Sequence, residues 1–246
     1  MKKKKKLKII IISLLCVAIV SCTAFGIYVS DYYRANDTAI AATFSDSEVT
    51  VIQKNNDCMV FTPKSPECGI IFYPGGKVEY TAYAPLMKEL AREGVFCVLV
   101  KMPFNLAVFD INAADDVIEE YTNIDEWYVG GHSLGGSMAA SYASKNADKL
   151  EGLILLAAFS TVDLNDSGLN VMQITAREDE ILWDDMEEVK KYQPNLPDDF
   201  KQLCIEGGCH AYFGSYGEQK GDGKPWITPD EQIKQTVSFI MTNLSE

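Results

Sequence analysis

A serine flanked by glycines, in Gly131-His132-Ser133-Leu134-Gly135, is the arrangement in this chain best suited to covalent chemistry. A serine hydroxyl attacks an acyl carbon only when a base removes its proton as the bond forms. The pentapeptide falls where an apolar run, Trp127 to Gly130, gives way to a helical stretch beginning at Leu134. On a sharp strand-to-helix turn a serine adopts a strained backbone that pushes its hydroxyl outward. Its neighbours two positions away must then lack bulk, which Gly131 and Gly135 provide. The bland alternative is a glycine-rich turn with a solvated serine, and the strand-helix context weighs against it.

The base must be a histidine, and the chain holds 2. His132 adjoins the serine on the turn, where its side chain should point into the structure. That leaves His210, in the glycine-flanked stretch Glu206-Gly207-Gly208-Cys209-His210-Ala211 after the last expected strand. An imidazole base needs a carboxylate to fix its tautomer and stabilise the imidazolium formed during attack. Asp179, in Ala176-Arg177-Glu178-Asp179 after the run Val171 to Thr175, is the first candidate. Glu178 and Glu180 adjoin it, and Asp163, after the preceding strand, is the runner-up. The order is then nucleophile, acid, histidine. Attack creates an oxyanion, stabilised by preorganised N–H donors, one of them from the residue after the nucleophile, Leu134. A second is expected from Gly76 or Lys77 in Tyr73-Pro74-Gly75-Gly76-Lys77. Loss of one such donor raises the barrier by ~3 to 4 kcal/mol. Activity should rise with pH as His210 loses its proton, since only neutral imidazole acts as base.

These residues need a scaffold, and the hydropathy pattern supplies one. Val49 to Gln53 and Cys58 to Thr62, around Lys54-Asn55-Asn56-Asp57, predict an antiparallel hairpin. Ile70 to Tyr73, Val95 to Lys101, Trp127 to Gly130, Leu153 to Ala158 and Val171 to Thr175 are apolar without alternation, as strands buried on both faces are. Phe200 to Ile205 predicts the last strand. Helices are expected at Tyr83 to Arg92, Ala113 to Tyr121, Leu134 to Lys145 and Trp183 to Tyr192, with a closing helix from Pro229 toward Leu244. Alternating strands and helices predict an α/β fold, a mostly parallel sheet covered on both faces, with ligands at the carboxyl ends of its strands. Ala158 to Leu169 is too short for a helical lid domain, so an open site is expected.

The bulk properties narrow the partners. Net charge is −13; the six lysines Lys2 to Lys6 and Lys8 mask a body with 16 basic against 35 acidic residues, or −19. Such a body is repelled by phosphate backbones and has no basic stripe, which argues against nucleic acid as a partner. Ile9 to Ser30 carries no charged residue and follows the lysines, the pattern of an export signal or membrane anchor. Its 22 residues rise about 30 Å as a helix, enough to cross a hydrocarbon core, with the lysines on the cytoplasmic side. The expected organisation is an anchor over 1–30, a short stalk over 31–48 and an extracytoplasmic catalytic domain over 49–246. Ile19-Val20-Ser21-Cys22 also resembles a lipobox, so a lipoprotein processed at Cys22, or a secreted form, is the alternative. Thr23 to Val29 stays mostly apolar where a lipoprotein turns polar, which favours the uncleaved anchor. Of the 7 cysteines, Cys97 lies in an apolar run as a buried thiol; Cys58 with Cys68, or Cys204 with Cys209, could pair in an exported domain. No zinc-ligand spacing occurs, and neither a metal nor another cofactor is expected.

Phe72-Tyr73-Pro74-Gly75-Gly76, Gly130 to Gly136 and the stretch from Glu206 to Gly223 together resemble a bacterial α/β-hydrolase family with a YPGG oxyanion loop and a GHSLGG nucleophile elbow. The resemblance covers most of Val49 to Glu246. It implies the α/β-hydrolase fold and Ser133, Asp179 and His210 as a triad, and it adds little about substrate. Cys209 departs from the asparagine common in the family's histidine block, which bears on how that loop is fixed. The expected function is an esterase-like serine hydrolase, cleaving a small or lipid-like acyl ester through an acyl-serine intermediate. A peptidase or acyltransferase would use the same triad, and a catalytically silent binding module is the reading from a different class.

Overall fold

In the computed structural model, residues 2–55, 57–183 and 191–244 are described. The chain divides into two units, Met1–Tyr32 and Tyr33–Glu246. The first contains helix α1 (Lys2–Ser30). Within it Ile10–Ser30 is long and apolar enough to cross a membrane, with a mean hydropathy of 2.6 and none of it buried.

The second unit is built on one eight-stranded sheet. Its strands are β1 (Thr50–Lys54), β2 (Cys58–Thr62), β3 (Cys68–Tyr73), β4 (Val95–Val100), β5 (Trp127–His132), β6 (Gly152–Leu156), β7 (Asn170–Ala176) and β8 (Lys201–Ile205). They lie in the order β1-β2-β4-β3-β5-β6-β7-β8. The hairpin β1–β2 is antiparallel and β2 joins β4 antiparallel, while β4 to β8 form a parallel run. Strands β3, β4, β5 and β6 are buried along their whole length, which is why they read as unbroken apolar runs. β5 extends two residues beyond its expected end, so it delivers the chain directly to Ser133.

Helices cover both faces. α3 (Ala84–Arg92) and α7 (Pro229–Asn243) put Leu86, Met87, Leu90, Ile233, Val237 and Ile240 into one core. α4 (Ala113–Glu120) and α5 (Leu134–Ala143) put Ala114, Val117, Ala140 and Tyr142 into the other. Each large apolar side chain so buried contributes about 1.5 to 3 kcal/mol. α7 begins with Pro229 in its first turn and a reciprocal cap, in which Thr228 Oγ1 accepts from Glu231 N–H and the Glu231 carboxylate accepts from Thr228 N–H. The helix expected over Trp183 to Tyr192 lies largely outside the described residues; a short α6 (Glu180–Trp183) precedes them. The β6–β7 connection runs through 157–169 without a helix.

Two expectations are corrected. From Tyr33 onward the stretch expected as a stalk belongs to the folded unit. Tyr33 pairs with Val78, Asn36 caps the short helix α2 (Asp37–Ala42), and Ala39 is fully buried. Lys88 holds the following turn through Phe44 O and Asp46. A six-residue helix is too short to show a hydrophobic period, so composition alone read the segment as polar linker. The second correction concerns cysteine. All seven are free thiols; Cys58 and Cys68 sit on β2 and β3, which β4 separates. Cys97 is buried, as its apolar run implies.

Candidate active site

The sheet reverses direction at β3: β4 lies on one side of it and β5 on the other. Loops leaving the carboxyl ends of β3 and β5 therefore diverge around a crevice, the place where sheets of this kind bind ligands. Tyr73-Pro74-Gly75-Gly76-Lys77 follows β3, and Ser133 follows β5.

Ser133 has φ 53° and ψ −123°, a conformation rarely adopted by a residue with a side chain. Packing imposes it. A Cβ at Gly135 would run into the Tyr73 and Pro74 carbonyl oxygens, and one at Gly131 would stand 2.6 Å from the Gly135 backbone. The β3 loop, the end of β5 and the first turn of α5 thus meet backbone to backbone. Ser133 N–H donates to Leu156 O at 2.9 Å, and Ser133 O accepts from Ser137 N–H at 3.1 Å, fixing the turn from both sides.

Leu134 opens α5, so its N–H belongs to the first turn, whose donors have no partner within the helix. Gly76 faces it: a Cβ on Gly76 would come within 2.9 Å of the Leu134 side chain. Lys77, the other expected donor, is placed differently. With φ 58° it turns its N–H onto Asn105 O at 2.8 Å, so that amide holds two loops together. Of the two candidates on the β3 loop, Gly76 is therefore the one whose backbone adjoins the serine turn.

His210 and Asp179 come together from the loops after β8 and β7. His210 Nδ1 lies 2.8 Å from Asp179 Oδ2, with both side chains buried. The other oxygen, Asp179 Oδ1, accepts from Leu182 N–H at 2.7 Å, capping α6. Each carboxylate oxygen is thus committed, which fixes the plane of the carboxylate and through it the ring. Asp163, the runner-up, is exposed in the β6–β7 loop and accepts from Asn165, which holds its carboxyl below the usual range. The structure brings Asp179, not Asp163, to the histidine. His210 and Ser133 line one cleft of about 280 Å³, whose apolar walls include Leu134, Ala158, Phe159 and Leu182.

The histidine loop has supports that the sequence reading missed. Asp222 accepts from His210 N–H at 3.2 Å, Ala211 N–H at 2.8 Å and Gly223 N–H at 2.9 Å. Gln232, buried on α7, accepts from Cys209 N–H at 3.0 Å and donates to Cys209 O at 2.9 Å. The loop is thus clamped through the backbone of Cys209. The Cys209 thiol is buried and pushed up to about 12 by that burial, with Asp222 adding to the effect.

His132 points inward, as its position on the turn requires, and is buried. Its Nδ1 lies 2.8 Å from the Tyr83 hydroxyl, which also accepts from Gly75 N–H at 3.1 Å. Tyr83 has one proton to give, so His132 Nδ1 accepts it and the ring carries its own proton on Nε2. Burial, reinforced by the neighbouring His210, holds His132 well below the usual histidine range. The two imidazole centroids are 4.4 Å apart. Tyr83 therefore ties the β3 loop to the serine turn, and neutral His132 packs against the candidate base. Neither role has a signature in the sequence, because both depend on contacts between distant loops.

This assembly has clear relatives. A model of the alpha/beta hydrolase family matches residues 69–234, and the chain belongs to that family. No curated protein matches the sequence. Among solved structures, TT1662 from Thermus thermophilus is similar at 12% identity and a TM-score of 0.60, over 81% of this chain and 99% of that one. Est1E from Butyrivibrio proteoclasticus is similar at 14% identity and a TM-score of 0.55, over 81% and 100%. A dienelactone hydrolase from Anabaena variabilis is similar at 12% identity and a TM-score of 0.54, over 80% and 97%. The fold class expected from the alternating pattern, a mostly parallel sheet flanked by helices, is that of these hydrolases.

Proposed function

We propose that the chain is a serine hydrolase of esterase type, with Ser133 as nucleophile, His210 as general base and Asp179 as the acid that orients it. The observation that carries this reading is the buried 2.8 Å pair of His210 and Asp179, opening onto a cleft that it shares with a serine held on a strained turn. With Nδ1 engaged by Asp179, the His210 ring can offer only Nε2 to the serine hydroxyl. As the serine oxygen bonds to the acyl carbon, its proton passes to Nε2, and Asp179 stabilises the resulting imidazolium. The carbonyl oxygen becomes an oxyanion, for which the Leu134 and Gly76 amides are the proposed donors. Collapse of the tetrahedral species returns the proton to the leaving alcohol, and water repeats the sequence on the acyl-serine. The apolar wall of Phe159, Ala158 and Leu182 suits the acyl part of an ester better than a charged group.

A fluorophosphonate probe tests the assignment. It should label the full chain at Ser133, and Ser133→Ala should remove both the label and ester hydrolysis, with kcat lower by roughly 10⁵- to 10⁶-fold. Labelling that persists in Ser133→Ala would disprove the nucleophile.

The N-terminal helix supports a place for this chemistry: an uncleaved anchor with the hydrolase on the extracytoplasmic side. The lysines at Lys2 to Lys6 and Lys8 beside the apolar Ile10–Ser30 carry this part of the reading. An intact mass that includes Met1 in the membrane fraction is expected; a mature form beginning at Cys22 would replace the anchor with a lipid.

A further inference from the structure

The loop leaving β4 carries a patch that the proposed chemistry does not use. Phe104, Val108 and Phe109 are 54%, 44% and 51% exposed, and the two rings meet edge to face with centroids 5.6 Å apart. Phe104 and Asn105 both have positive φ, at 56° and 55°, a costly conformation for residues with side chains. The loop lies at the rim of the proposed site, since Asn105 O accepts from Lys77 N–H and Leu106 stands 3.7 Å from where a Cβ on Gly76 would be.

The same rim is where the folded unit begins. Tyr33 N–H donates to Lys77 O at 2.8 Å, and Tyr33 O accepts from Glu79 N–H at 2.8 Å. The apolar segment ends at Ser30, three residues earlier, so chain length alone holds Tyr33 within about 11 Å of its end. A tether that short keeps the Lys77 loop, and the aromatic loop bonded to it, within reach of the membrane surface.

We infer that Phe104, Val108 and Phe109 dock into the bilayer surface and that the substrate is an acyl ester held in that leaflet. The inference rests on Ser133 as nucleophile and on the N-terminal segment as an uncleaved anchor. Aromatic side chains at the interface of headgroup and acyl chain give such a loop both affinity and a fixed depth. Docking there brings the Gly76 loop to the lipid surface, so an ester need not carry its acyl chain through bulk water to reach it.

The full chain in phosphatidylcholine vesicles tests this. Phe104→Trp should be quenched by bromine-labelled acyl chains more strongly than the parent. The double variant Phe104→Ser, Phe109→Ser should lose about a hundredfold on a long-chain ester carried in the vesicle, relative to a short soluble ester, at about tenfold for each interfacial anchor removed. Absence of extra quenching, or an equal loss on both substrates, would overturn the docking surface. If the parent hydrolyses neither ester, the catalytic reading has failed, and the quenching still decides the docking.

Discussion

The serine turn and the histidine loop are built by opposite means. At the turn, position comes from backbone packed on backbone: glycines at 131 and 135 let Tyr73, Pro74 and the start of α5 close around Ser133, whose φ of 53° is forced by that contact. Around His210, position comes from side chains reaching between distant segments. Asp179 reaches the ring, Asp222 the loop amides and Gln232 the peptide of Cys209. A serine fixed by sterics is insensitive to charge, whereas a histidine fixed by hydrogen bonds can be detuned one partner at a time.

Four substitutions break or sharpen that contrast. Asp179→Asn keeps an acceptor for the Leu182 amide but removes the charge and disturbs the tautomer of His210, so kcat should fall by roughly 10⁴-fold with little change in Tm. Steady-state kinetics beside thermal melting checks this; a parallel loss of stability would mean that the acid is structural. Gly135→Ala attacks the steric side, driving a methyl group into the Tyr73 and Pro74 carbonyls. It should destabilise by about 3 kcal/mol in denaturant melts, because neither carbonyl can retreat from the packed loop.

Third in size is a pH effect. His132 is held neutral in the folded state, while the unfolded chain takes up a proton below about pH 6.5. The unfolded state then binds more protons, so stability is full above that pH and declines as pH falls below it. Between pH 6.5 and 5 the parent should lose about 2 kcal/mol more than His132→Gln, read from denaturant melts at each pH. Identical slopes would show that His132 does not remain neutral beside Tyr83 and His210. The smallest change in stability is expected from Ser133→Gly, which relieves the positive φ and should gain about 1 kcal/mol. A loss of stability in that variant would show that the turn is unstrained.

Much of the scaffold was legible in the sequence. Strands buried on both faces must be apolar without alternation, and Pro229 marks the start of the closing helix, so element order followed from local physics. The segment 33–48 was not legible, because its order comes from Tyr33 pairing with Val78 and from Lys88 reaching Phe44, contacts that leave no periodic trace. Lys77 misled for a related reason: a glycine-rich loop predicts that amides approach a ligand, yet which amide turns inward depends on Asn105, contributed by another loop. Tyr83, Asp222 and Gln232 are ordinary residues in the sequence and become supports only where the fold gathers them.

The sequence by itself determined the elbow, the candidate base and the element order, because glycine spacing, a shortage of histidines and hydrophobic runs are properties of short stretches. Only the tertiary structure decided that Asp179 rather than Asp163 meets His210, that Gly76 rather than Lys77 faces the serine turn, and that Tyr33 joins the loop after β3. Those choices turn on hydrogen bonds between residues tens of positions apart, whose partners become adjacent only when the sheet sets the ends of its strands side by side.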